Sequence, residues 1–122
     1  YAIEFNPIAN KYALENLKLN KINNIKLFKG DVKKILPKIK LKFDRIIMPA
    51  PKNADQYLNL IKNKIKKNTI IHFYDFSQEK DFPEGSINKI KNHFKKIKIL
   101  NAVKCGAYSP YIYRVCIDFQ VL

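Results

Sequence analysis

The sequence is poor in the residues that staple a small fold. Only two cysteines occur, Cys105 and Cys116, and neither belongs to a CxxC pair. Two thiols without clustered histidines make no zinc site, so no metal is expected. A disulfide would require them to face each other across a hairpin; two reduced, buried thiols in a cytoplasmic protein are the expectation. No apolar run approaches the roughly 18–20 residues of a membrane-spanning helix. No signal peptide is read at the start. Tyr1 reads as the beginning of a strand, so the natural protein is expected to begin earlier. Arginine is scarce too: Arg45 and Arg114 are the only two among 24 basic residues. Arginine is the better phosphate fork. The net charge of +14 therefore leaves two readings open, a positive surface for nucleic acid or a compositional bias toward lysine, asparagine and isoleucine. No internal repeat, low-complexity tract or linker is visible.

What is present suits one packed domain. Hydrophobic residues make up 47% of 122 residues, and 28% are charged, ordinary values for a globular chain. Residues 1–4 read as the end of a buried strand. Asn6 followed by Pro7 reads as a helix start, with Ile8, Ala9, Tyr12, Ala13 and Leu17 on one helical face. Residues 25–28 form a short predicted strand, ended by Gly30 and Asp31, and 32–36 one or two helical turns. Residues 43–48 are the next strand. Its apolar run Ile46-Ile47-Met48 suits a strand covered on both faces. Asn53 is expected to cap a helix with Ala54, Tyr57, Leu58, Ile61 and Ile65 on its inner face. Residues 69–74 are a strong strand. Ser86 is expected to cap a helix using Ile87, Ile90, Phe94 and Ile97. Residues 97–104 and 112–122 are extended, and the second alternates with period two. Their short connection suits antiparallel pairing. Strands alternating with helices predict an α/β fold with a mostly parallel sheet, closed by an antiparallel hairpin.

In open α/β sheets, ligands bind beyond the C-terminal ends of the strands. The first such end carries Glu4, Phe5 and Asn6. A carboxylate there can accept from both ribose hydroxyls of a nucleoside, or it can be a solvated strand end. The second carries Asp31, which can accept from an adenine amino group or cap a helix. The third carries Pro49, Ala50, Pro51 and Lys52. Consecutive strand ends of this chemistry predict a nucleoside site. His72 reads as a satisfied core or edge histidine, and His93 as solvent-facing.

Several of these segments resemble one family. Residues 1–7 and 15–20 resemble the second motif of the archaeal and eukaryal tRNA (guanine-37-N1)-methyltransferases and of the related wybutosine-synthesis aminocarboxypropyltransferases. Residues 43–52 resemble the family's catalytic strand end, 70–74 its following strand, and 108–110 with 113–119 its closing hairpin. The resemblance implies a Rossmann-like class I methyltransferase fold using S-adenosyl-L-methionine, with 1–122 forming a partial catalytic domain. It implies that Glu4 holds the cofactor ribose, that Phe5 and Val32 flank the adenine, with Asn6 beside them, and that Asp31 accepts the adenine amino group. Pro49, Ala50 and Pro51 would wall the site near the sulfonium methyl and the target base. Lys52, Tyr108 and Tyr111 can hold flanking tRNA; equally, the tyrosines can simply close the hairpin. Two departures stand out. Proline occupies position 49 where the family commonly has asparagine, and it offers no amide donor. The family's first strand, Gly-rich loop and upstream catalytic carboxylate and arginine are absent. An upstream half, in the same longer chain or a separate polypeptide, is therefore an expected partner. Three functions follow: methyl transfer to N1 of guanine 37, aminocarboxypropyl transfer to a wybutosine precursor, or a non-catalytic RNA-binding half.

Overall fold

The computed structural model describes residues 1–50 and 52–122. Two compact units divide the chain, Tyr1–Lys40 and Leu41–Leu122.

The first unit is a β-α-β-α segment. Strand β1 (Ala2–Glu4) leads into helix α1 (Pro7–Leu19), strand β2 (Leu27–Lys29) and helix α2 (Val32–Ile35), followed by a 3-10 turn at Leu36–Lys38. β1 and β2 pair in parallel, with Glu4 opposite Lys29. Asn6 caps α1 as its sequence position predicts: Oδ1 accepts from the Ile8 N–H at 2.9 Å and the Ala9 N–H at 3.4 Å. The inner face of α1 differs from expectation. Asn10 is buried and Ala13 and Leu17 are half-buried, whereas Ile8 and Tyr12 are 65% and 59% exposed. The apolar stripe of α1 is thus wider than the surface this unit presents to it. Gly30, at φ +135, makes the turn from β2 into α2 in a region open to glycine.

The second unit is a four-stranded sheet with helices on one face. Its elements are β3 (Phe43–Met48), α3 (Asp55–Ile61), β4 (Ile65–Gln78), α4 (Glu84–His93), β5 (Ile97–Ser109) and β6 (Ile112–Val121). The strand order is β3-β4-β6-β5. β3 and β4 are parallel, while β6 runs antiparallel to β4 and to β5. The closing hairpin is present as predicted, and it contributes both antiparallel pairings. Ile71, Phe73, Val115, Ile117 and Phe119 share one face and are fully buried. Leu58 and Ile61 of α3 and Ile90 of α4 are buried with them, and Phe94 meets Phe119 at 5.7 Å between ring centroids. Burying such a side chain contributes about 1.5–3 kcal/mol, so this face is the core.

The opposite face carries Ile47, His72, Tyr74, Cys116 and Asp118 in adjoining register. Ile47 is 62% exposed, so the expectation that β3 is covered on both faces does not hold within this unit. The two helices here both lie over the Phe73 face.

Two predicted caps are also displaced. α3 begins after Ala54, while Asn53 sits at φ 56 and its carbonyl accepts from the Gln56 N–H. α4 begins at Glu84, which places Ser86 inside the helix and turned to the core. Its hydroxyl donates to Asp75 Oδ2 at 2.8 Å. A buried carboxylate on β4 claims the serine that an exposed N-cap would have used.

Candidate functional site

Parallel pairing puts Glu4 and Asp31 at the same end of the first unit. β1 and β2 both finish there, and the Gly30 N–H donates to the Glu4 carbonyl at 2.8 Å, joining the two strand ends. Glu4 Oε1 accepts from the Asn6 N–H at 2.7 Å. This bond fixes the carboxylate and folds the Glu4-Phe5-Asn6 corner back over the start of α1; Oε2 is the remaining acceptor. Phe5 is 75% exposed at that corner. Asp31 caps α2 through Oδ1, which accepts from the Lys33 N–H at 2.8 Å. Val32 follows it, half-buried. The first unit therefore gathers two oriented carboxylates, an exposed ring and a half-buried valine on one rim. Each carboxylate spends one oxygen on the backbone and keeps the other for an outside donor. Such a pair suits neutral polyhydroxyl or amino-bearing ligands better than anions.

The second unit has its own rim. β3 ends at Met48, opposite Phe73 of β4, and Pro49 and Ala50 follow, both exposed. Pro51 lies outside the described residues. Lys52 is exposed. β4 runs on past this level from Tyr74 to Gln78 and carries the β5–β6 hairpin with it, Gln78 pairing with Ile112. Tyr108 and Tyr111 are thus at the same end of the sheet as Pro49 and Ala50. They are 63% and 77% exposed, and they differ in role. The Tyr108 ring rests on Phe76, 4.3 Å between centroids. Tyr111 occupies the turn itself at φ 61. Gln78, Glu79 and Lys80, absent from the sequence-level site, line a shallow cleft of about 370 Å³ with Tyr111. The sequence reading ended this strand at Tyr74, so these residues fell in an unassigned stretch.

On the open face of the sheet, His72 Nδ1 and Asp118 Oδ1 lie 2.6 Å apart, as a satisfied histidine requires. The Cys116 thiol donates to the same oxygen at 3.4 Å. The three ligand atoms lie within 4.8 Å of one another, a clustering of thiol and histidine that the sequence spacing did not foreshadow. Burial, then the Asp118 carboxylate, pushes the Cys116 thiol up to about 12. The protonated thiol completes a closed hydrogen-bonded group, and a metal would first have to displace that proton. Tyr74 beside it is raised as well, chiefly by the charge Cys116 would carry, then by burial. Cys105 is a free, exposed thiol and Cys116 a free, buried one, so only the second matches the expectation of buried thiols. His93 Nδ1 meets Asn59 Oδ1 at 2.9 Å, which ties α4 to α3. At the foot of the sheet Lys66 bonds to Asp44 and, by that bond and its charge, lowers the carboxyl below its usual range.

Alternating β and α elements, with polar rims at the C-terminal strand ends and a closing antiparallel hairpin, define a Rossmann-like α/β fold of the kind used by S-adenosylmethionine-dependent methyltransferases. The TRM5/TYW2 methyltransferase domain matches residues 1–101, and this chain belongs to that family. It is 38% identical over 126 residues to the tRNA (guanine(37)-N(1))-methyltransferase Trm5b of Pyrococcus abyssi, covering 99% of this chain and 37% of that protein. It is 31% identical over 122 residues to the tRNA(Phe) (4-demethylwyosine(37)-C(7)) aminocarboxypropyltransferase of Methanocaldococcus jannaschii, covering 97% of this chain and 48% of that protein. The crystal structure of M. jannaschii TYW2 in complex with AdoMet superposes with a TM-score of 0.85 at 30% identity, over 100% of this chain and 57% of that one. The chain thus spans between a third and half of the length of these curated relatives. No described helix is long and apolar enough to cross a membrane.

Proposed function

We propose that this chain forms the adenosine- and base-facing part of a cytoplasmic S-adenosylmethionine-dependent tRNA methyltransferase that modifies N1 of guanine 37. The reading is carried by one observation: in a chain of this family, two carboxylates stand at neighbouring parallel strand ends, each with one oxygen held by the backbone. Glu4 would accept from the ribose hydroxyls and Asp31 from the adenine amino group. Phe5 and Val32 would flank the ring, with Asn6 holding the corner in place. The donor set fits the cofactor's adenosine half, because neutral hydroxyl and amino groups meet acceptors and the adenine faces meet apolar side chains. S-adenosylmethionine, when bound, supplies an electrophilic methyl group.

Pro49, Ala50 and Pro51 would form the wall beside the reacting groups. Proline cannot donate from its backbone, so at position 49 only the carbonyl is left to orient the base. N1 of guanine carries a proton at neutral pH, and its removal needs a placed base, worth about 10²–10⁴-fold. We assign that base, the remaining cofactor contacts and the cover of the open sheet face to an upstream segment. Lys52 and the tyrosines of the hairpin would meet flanking RNA through phosphate contact and stacking.

The relation to an aminocarboxypropyltransferase supports a second reading, transfer of that longer group from the same cofactor. Incubating the full-length protein with cofactor and, in parallel, unmodified tRNA or tRNA carrying the wybutosine precursor, then weighing the nucleosides, tests both. A gain of one methyl on guanine is the expected result. A gain of the aminocarboxypropyl group on a wybutosine precursor would replace the first reading with the second. Absence of cofactor binding in calorimetry, with the upstream segment present, would leave a non-catalytic RNA-binding half.

A further inference from the structure

We propose that the cleft formed by Tyr111, Gln78, Glu79 and Lys80 is a stacking subsite for one unpaired RNA base next to the reacting nucleotide. The proposal rests on the tRNA reading above and deepens it, adding Gln78, Glu79 and Lys80 to Tyr111 and giving the four one base as their ligand. Tyr111 adopts φ 61, a conformation that glycine or asparagine takes freely and a bulky side chain takes under strain. The ring gains no burial in exchange, being 77% exposed. The turn is nonetheless fixed: the Tyr111 carbonyl accepts from the Glu79 N–H at 2.9 Å. An exposed aromatic ring carried on a turn fixed by this hydrogen bond offers a face on which a base can stack.

The rest of the cleft complements it. The cleft is shallow and open, about 370 Å³, so it can take a flat group against its wall without enclosing it. Glu79 is braced rather than mobile. Its Oε1 meets Lys104 Nζ at 3.2 Å and the Tyr113 hydroxyl at 3.4 Å. Lys104 in turn lies over the Tyr113 ring at 4.3 Å and the Phe82 ring at 5.6 Å. Glu79 Oε2 and the Gln78 amide can then read the N–H edge of a stacked base, while the Lys80 ammonium meets its phosphate. A carboxylate in the wall disfavours a bare phosphate or other anion and favours a base. The position agrees with this use, since the cleft stands where β4 and the hairpin run beyond the end of β3 that carries Pro49 and Ala50.

Binding of a fluorescent anticodon stem-loop RNA to the full-length protein, followed by anisotropy at several salt concentrations, tests the assignment. Tyr111→Gly removes the ring and also relieves the backbone, so loss of binding cannot be blamed on unfolding. Its thermal midpoint is expected to stay level or rise. RNA affinity is expected to fall about 5- to 150-fold, the span of one stacked base, with an unchanged salt slope because no charge is lost. Tyr111→Phe should bind like wild type. Lys80→Ala should weaken binding and lower the salt slope by about one. RNA affinity of Tyr111→Gly within two-fold of wild type would overturn the subsite while leaving the tRNA reading intact. Wild-type protein that binds cofactor but no RNA would overturn both.

Discussion

Replacing Lys89 by methionine strips the counter-ion from a carboxylate that has almost no access to water. The Asp75 side chain is 5% exposed. Lys89 Nζ lies 3.0 Å from its Oδ1 and 2.7 Å from its Oδ2, and Ser86 Oγ donates to Oδ2 at 2.8 Å. All three groups join α4 to β4. At about 3 Å and an effective dielectric near 20, two unit charges attract by roughly 5 kcal/mol. The lysine end is 43% exposed, so solvent screens the pair and the figure must be discounted. Breaking a fully buried pair costs about 3–5 kcal/mol, and the exposed lysine lowers this to about 2–3 kcal/mol for Lys89→Met. Ser86→Ala loses one hydrogen bond to a charged group, roughly 1.5 kcal/mol. The double variant Asp75→Asn/Lys89→Met removes the stranded charge and should recover at least 1 kcal/mol relative to Lys89→Met alone. Urea unfolding followed by circular dichroism, with the slope m checked for constancy, gives each number. A Lys89→Met cost below that of Ser86→Ala would refute the reasoning. So would a double variant no more stable than the single one.

Two smaller predictions follow from local chemistry. The Cys116 thiol is raised to about 12, above its unfolded value, so the folded state holds this proton more tightly. Its contribution to stability is complete below about pH 8.5 and declines as pH rises from there toward 12; iodoacetamide at pH 8 should accordingly label Cys105 and spare Cys116 in native protein, and equal labelling of both would contradict the burial of Cys116. Asn6→Ala removes the side-chain cap of α1 and should cost about 0.5–2 kcal/mol while weakening cofactor binding, because the Glu4–Asn6 corner loses its anchor on the helix; unchanged affinity in calorimetry would show that the corner is held by other means.

Much of the fold was legible because local and global preferences agree. β3 is found at the predicted residues, Asn6 and Pro7 start α1, and the alternation from Tyr113 to Val121 announces a strand with two unlike faces. Disagreements arise where a tertiary partner outbids a local rule. Ser86 has the side chain of a helix cap, yet Asp75 draws it into the core. Residues 75–78 look like a loop, being Asp-Phe-Ser-Gln, but every one of them pairs with β6. The polar members Asp75 and Ser77 are buried there, and the burial is tolerable because Ser86 and Lys89 reach Asp75 across the chain. No spacing rule announces such a partner. The strand therefore runs four residues past its predicted end, besides starting four before its predicted start, and its last residue, Gln78, enters the cleft wall with Glu79 and Lys80. Of the candidate site, the strand-end positions of Glu4 and Asp31 were readable from element order. Gln78, Glu79 and Lys80 became visible only once the true end of β4 was known.

The open face of the four-stranded sheet is neither a normal solvated surface nor a finished core. Ile47 is 62% exposed and Val103 43%, which a solvated face would replace by polar side chains at little cost. Its polar groups point the other way from a solvated design as well. His72, Cys116 and Asp118 bond to one another, and among the described residues no buried side-chain polar atom lacks a partner. A polar group that must be hydrogen-bonded to water costs roughly 1–3 kcal/mol to cover, and the bonds to Asp118 Oδ1 lower that cost for His72 Nδ1 and the Cys116 thiol. Part of the polar set of this face is therefore paired laterally within the sheet. The first unit shows the same incompleteness in apolar form, in the exposed Ile8 and Tyr12 flank of α1. Two separate surfaces, one partly polar and laterally bonded, the other apolar, thus each expose side chains that a covering layer would stabilise by burial.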